Sequence, residues 1–120
     1  MFRGSVYHIL FRFFIDLLHE ACRNVSIDIG RDWESLYMDL KFYPNRNKEK
    51  RVKDIEAVKL HSVQRERTVR QLAFLSLQKW RIFSRSAGIE ELIKSLRRLE
   101  KFALAHRLEH RFMKSATAQT

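Results

Sequence analysis

His106 and His110 stand one helical turn apart, a spacing that can bring two imidazoles onto one metal ion. A zinc-hydrolase helix would place a glutamate directly after the first histidine, whereas Arg107 follows His106, and nothing nearby offers a third ligand. The pair therefore reads as part of a solvated basic helix face. His8, His19 and His61 have no organised carboxylate or cysteine close in sequence. Cys22 is the only cysteine, so it cannot form an internal bridge, and its place in an apolar helical stripe marks a buried thiol rather than a nucleophile. No Gly-Ser-Gly elbow, glycine-rich phosphate loop or Cys/His signature is present. The expectation is a non-enzyme with no catalytic residue, no metal and no cofactor.

Charge points instead to a partner. The 120 residues carry a net charge of +10, unevenly spread. Residues 1–40 hold 4 Lys/Arg against 6 Asp/Glu, and residues 41–120 hold 20 against 8. Such asymmetry suits nucleic acid or an anionic membrane, and equally a fold whose copies dock acidic face to basic face.

The elements that must carry these charges read as helices. One proline and three glycines leave too few breaks for a turn-rich all-β fold, and the length suits a single domain over residues 1–114 with a disordered tail at 115–120. The N-terminal run is broken by Arg12 and Asp16 well short of the roughly 20 apolar residues of a membrane span, and no cleavage site follows it. Val6, Ile9, Leu10, Phe13, Phe14, Leu17, Leu18 and Ala21 recur at three- and four-residue steps and form the face of a first helix, which leaves Phe11 and Ile15 off the stripe.

A second helix opens near Asp32 as cap, with Trp33, Leu36, Tyr37 and Leu40 on one side, and ends by about Phe42 before the only proline. The third spans residues 47–60 through Val52, Ile55, Ala57, Val58 and Leu60. His61 and Ser62 then form a joint, with Ser62 as a possible cap, and a long fourth helix carries Val69, Leu72, Ala73, Leu75, Leu77, Trp80 and Phe83. A fifth, with Leu92, Ile93 and Leu96, has acids first and arginines last, in accord with its dipole. The sixth presents Phe102, Ala105, Leu108 and Phe112. Trp33, Leu36, Leu40, Ile55, Leu72, Leu77, Trp80, Leu92 and Leu96 are the expected core.

Lys48, Lys50, Arg51, Lys53 and Lys59, with Arg65, Arg67 and Arg70 beyond them, could neutralise phosphates. No helix-turn-helix arrangement is evident, however, and the aromatics lie on apolar stripes instead of between the bases. Nucleic-acid binding is therefore the lesser reading.

The order of elements is more specific than any one motif. An apolar helix, then "GRDWESLYMDL", "VKDIEAV", "LSLQKW" and "IEELIKSLRRL", with a short last helix, resembles the death domain over roughly residues 6–112. The family's marker positions fall on Trp33, Leu36 and Leu40, on Val52, Ile55 and Glu56, on Leu77 and Trp80, and on Leu92, Leu96 and Arg97. Gly30-Arg31-Asp32-Trp33 is similar to the opening of the second helix in adaptors of the Fas-associated type, while Glu34, Ser35 and Met38 replace that type's receptor-binding arginines, as would suit an invertebrate form.

The resemblance implies an all-α, six-helix antiparallel Greek-key bundle without catalysis. It also implies a cytoplasmic adaptor in apoptotic or innate-immune signalling that binds another death-domain protein, a receptor or an upstream adaptor. A caspase would be reached only indirectly, through a domain outside this one. Asp32, Glu34 and Asp39 would meet a basic surface, and Lys48, Lys50, Arg51, Arg65 and Arg70 an acidic one.

Overall fold

A computed structural model describes residues 17–65 and 67–113, with only the backbone described for 62–65. The expectations for residues 1–16, including His8, Phe11 and Ile15, and for the tail lie outside the described residues. Every regular element among the described residues is helical: six α-helices, short 3-10 and π turns, and no strand. The all-α six-helix bundle expected from the periodicity is what the chain forms, and no described helix is long and apolar enough to cross a membrane.

Helix α1 is described over residues 17–28 and buries Ala21, Cys22 and Val25, its three- and four-step ridge. It ends at Ile29, whose N–H still reaches the Val25 carbonyl at 2.9 Å, and Gly30 then turns with a φ of +59°. A 3-10 turn, Gly30–Asp32, leads into α2, Trp33–Asp39. Asp32 occupies the cap position but makes no side-chain cap bond, because its carboxylate is engaged by Lys101. Trp33, Leu36 and Tyr37 are buried, and Leu40 follows them into the core.

The connection after α2 is held from outside itself. Trp80 Nε1 donates to the Lys41 carbonyl at 3.0 Å, the Tyr43 amide donates to Ser84 Oγ at 3.0 Å, and the Arg85 amide donates to the Tyr43 carbonyl at 2.7 Å. The Tyr43–Pro44 bond within it is cis.

Helix α3, Lys48–Arg65, is started by Asn47, whose Oδ1 accepts from the Lys50 amide at 2.9 Å. It corrects two expectations. No joint forms at His61 and Ser62, since the helix runs on to Arg65, and the next cap is Thr68. Thr68 Oγ1 accepts from the Gln71 amide while Gln71 Oε1 accepts from the Thr68 amide, a reciprocal capping box that fixes α4 at Val69–Phe83. The apolar face of α3 is also narrower than its composition implied. Among its described side chains only Asp54, Ile55 and Val58 are buried, while Val52, Ala57 and Leu60 face outward. A helix that contacts the bundle along one ridge covers about one residue per turn, and the others on its apolar side stay wet.

Helix α4 packs on both α2 and α3 and buries Ala73, Ser76, Leu77 and Trp80. Leu72, Leu75 and Phe83 are half-buried against that core, and Val69 is exposed. Helix α5, Ile89–Arg98, buries Leu92, Ile93, Ser95 and Leu96. Helix α6, Phe102–Leu108, packs on α5 and continues into a π turn, Glu109–Met113. Its inner face is Leu104, Ala105 and Leu108, of which Ala105 and Leu108 were expected; Phe102, also expected inside, is the first residue of α6 and is 62% exposed. Of the residues that carried the resemblance on α2 to α5, Trp33, Leu36, Leu40, Ile55, Leu77, Trp80, Leu92 and Leu96 belong to one buried cluster, whereas Val52, Glu56 and Arg97 are exposed.

Candidate interaction surface

The acids of α2 are not free. Asp32 is paired with Lys101, Glu34 lies 2.8 Å from Lys59 Nζ, and Asp39 accepts from Ser95 Oγ at 2.5 Å and from Arg98 Nε at 2.8 Å. Arg98 also reaches Glu91 at 2.9 Å, and Glu91 in turn accepts from the Lys41 amide. Burial alone would lower the Arg98 pKa, but the hydrogen bonds and charges of Glu91 and Asp39 raise it above its ordinary value. The expected acidic face is thus a seam joining α2 to α3, α5 and α6. Glu34 and Glu56 remain at its solvent edge, where with Lys48, Val52 and Lys59 they border a groove of about 680 Å³ between α2 and α3.

The bases divide in the same way. Arg51, expected at the partner face, turns inward: Nη1 donates to the Met38 carbonyl and Nε to the Arg46 carbonyl, both at 2.7 Å, with the guanidinium 4.5 Å over the Phe42 ring. It closes the C-terminus of α2, which is a structural role, and burial lowers its pKa from the usual arginine range. Lys48, Lys50 and Lys53 are exposed on α3. Arg70 is exposed on α4, beside Arg67 and across from Arg23 of α1. The side chain of Arg65 lies outside the described residues.

One polar cluster escaped the sequence reading. Tyr37 Oη donates to Asp54 Oδ2 at 2.6 Å, and Arg46 embraces the same carboxylate through Nε at 2.6 Å and Nη2 at 2.8 Å. Arg46 also lies 3.9 Å over the Phe83 ring, so it ties the α2–α3 loop to α4. Burial alone would raise the Asp54 pKa, but the hydrogen bonds from Arg46 and Tyr37 outweigh it and hold the carboxyl below the usual carboxylate range. Tyr37 is pushed up, first by burial and then by its bond to Asp54. The only signal in sequence was an aspartate one position before Ile55 on the buried ridge.

His106 and His110 are both exposed, with ring centroids 6.4 Å apart, and among the described residues no three His, Cys, Asp or Glu side chains group as a metal site. Cys22 is buried and free, and desolvation, opposed only in part by the Arg81 charge, pushes its thiol up to about 12. A thiol so raised is protonated and unreactive at neutral pH.

Fold and surface together define an all-α bundle whose described exterior offers charged, helix-lined grooves. Compared with models of known protein families, with curated proteins and with solved structures, the chain finds no significant match.

Proposed function

We propose that this chain is a death-domain-type interaction module: a non-catalytic, cytoplasmic adaptor domain that binds a death-domain receptor or upstream adaptor in apoptotic or innate-immune signalling. A caspase would be recruited only indirectly, through a separate domain. One observation carries the reading: of the apolar residues that resemble the family, drawn from α2, α3, α4 and α5, all but Val52 meet in a single core. The α2–α3 groove, with Glu34, Glu56, Lys48 and an exposed Val52, is the surface best suited to a folded partner of mixed charge.

Titration against a panel of purified death domains tests this. Binding by at least one of them should weaken with salt and fall about tenfold in Glu34→Lys/Glu56→Lys, with Asp39 left intact because it holds Arg98. No binding to any panel member sinks the reading, and binding that ignores the double reversal sinks the groove. The second reading, a basic helical nucleic-acid-binding domain, is favoured by Lys48, Lys50 and Lys53, which stand exposed without an ion-pair partner among the described residues. A gel shift of duplex and single-stranded DNA at physiological salt decides between the two.

A further inference from the structure

The seam between α1 and α4 holds a groove, separate from the α2–α3 surface, that sets Arg67 and Arg70 of the basic stretch beside exposed apolar side chains. Arg23 and Ile27, one turn apart on α1, form one wall, and Arg70, Phe74 and Leu75 of α4, with Arg67 just before its cap, form the other. The space enclosed is about 300 Å³. Ile27 is 49% exposed, and Phe74 and Leu75 are half-buried, with the Phe74 ring held edge-on by His19 of α1 at 5.2 Å. None of the three arginines has an acidic partner among the described residues. Lys59, Arg98, Lys101 and Arg107, by contrast, each meet an acid of a different element.

Guanidinium groups without an acidic partner among the described residues, beside exposed apolar surface, fit a ligand that brings both carboxylates and an apolar ridge. The shape narrows the choice. Two helix walls with side chains at three- and four-residue steps make a slot that receives the ridge of a third helix. A phosphate backbone would satisfy the arginines and leave Ile27 and Phe74 uncovered, and a flat bilayer would not reach the floor of a slot.

We propose that the α1–α4 groove docks an acidic amphipathic helix, a linear segment rather than a folded domain. Its leucine-like ridge lies on Ile27, Phe74 and Leu75, and its acids reach Arg23 on one side and Arg67 and Arg70 on the other. This goes beyond the death-domain reading and does not rest on it, since the groove is bounded by other helices than the α2–α3 surface.

The test uses the full chain and a fluorescein-labelled helical peptide with leucines at positions i, i+3, i+4 and i+7 flanked by glutamates. Controls are a scrambled peptide of the same composition and one with lysine in place of every glutamate. Fluorescence anisotropy at physiological salt should give the glutamate peptide an affinity at least about tenfold above both controls. Arg67→Glu/Arg70→Glu and Ile27→Asp should each remove about that factor, while Lys48→Glu/Lys50→Glu should leave it unchanged. Equal binding of the scrambled peptide overturns the proposal, because charge alone then explains the affinity. It is also overturned if the α4 reversal weakens binding to duplex DNA, to phosphatidylserine vesicles or to a second copy of the chain without affecting the peptide. Thermal melting accompanies each variant, and the peptide controls decide the matter without any variant at all.

Discussion

Tyr37 Oη and Asp54 Oδ2 lie 2.6 Å apart, joining α2 to α3 where both are buried, and Arg46 shares that carboxylate. Asp54→Asn should cost about 2–3 kcal/mol in urea unfolding at neutral pH, less than a fully buried pair because Arg46 is partly solvated. The folded pKa of Asp54 is depressed, so this stabilisation is present above the unfolded carboxylate value of about 3.9 and is lost as pH falls through the lower folded value. The gap between wild type and Asp54→Asn should accordingly close in acid. A gap that stayed constant down to strongly acidic pH would show that the carboxylate is not what holds the seam.

Trp33 stands among the acids of Gly30–Asp39, yet it is only 3% exposed and sits within the core. Truncation to alanine should cost about 3–5 kcal/mol, as for other large core side chains. Phe102→Ala is the matched control, since that ring is mostly in solvent and should cost under about 0.5 kcal/mol. Melting curves of the two variants would separate buried from wet aromatics, and equal shifts would contradict the exposure of Phe102 at the start of α6.

What the sequence made legible was the set of helices and the spine of the core, because Trp33, Leu36, Leu40, Leu77, Trp80, Leu92 and Leu96 repeat at helical steps and bury at those steps. What it hid were choices made by tertiary contact. Val52 and Leu60 have the composition of a buried face but lie on a helix that touches the bundle along one ridge. Asp32, Glu34 and Asp39 look like a free acidic face, but their partners are 25 to 69 residues away in sequence. Arg51 reads as one more basic residue until the Met38 carbonyl comes within its reach. Thr68 and Gln71 have the residue types and spacing of a capping box, a stronger start signal than Ser62 alone.

Asp39 and Arg98 give a measurable coupling of α2 to α5. The pair is 2.8 Å apart and partly exposed on both sides, so a double-mutant cycle with alanines should return about 0.5–1 kcal/mol at low salt, falling as salt rises. Ser95→Ala should cost more than an exposed serine would, since Ser95 is fully buried and its hydroxyl donates to the same carboxylate. A coupling energy of zero would mean that packing alone seats α5 on α2.

Glu100 has a φ of +61°, the left-handed region where a side chain is costly, at the joint between α5 and α6. The two bonds of a Schellman motif are in place there: the Glu100 amide donates to the Arg97 carbonyl at 3.0 Å and the Lys101 amide to the Leu96 carbonyl at 2.8 Å. Glycine is the residue this geometry favours, and the glutamate side chain has no partner to lose among the described residues. Relief of the backbone cost, about 1–2 kcal/mol, exceeds the extra unfolded-state entropy of glycine, so Glu100→Gly should stabilise by about 0.5–1 kcal/mol and raise the melting temperature by a few degrees. Gly30 supplies the mirror experiment. Its φ is +59°, and an added Cβ would meet nothing within 4 Å, so Gly30→Ala should destabilise by about 1 kcal/mol through the backbone alone. Opposite signs at these two positions in paired thermal melts are the expected outcome, and a destabilised Glu100→Gly would mean that the carboxylate, not the turn, holds the joint.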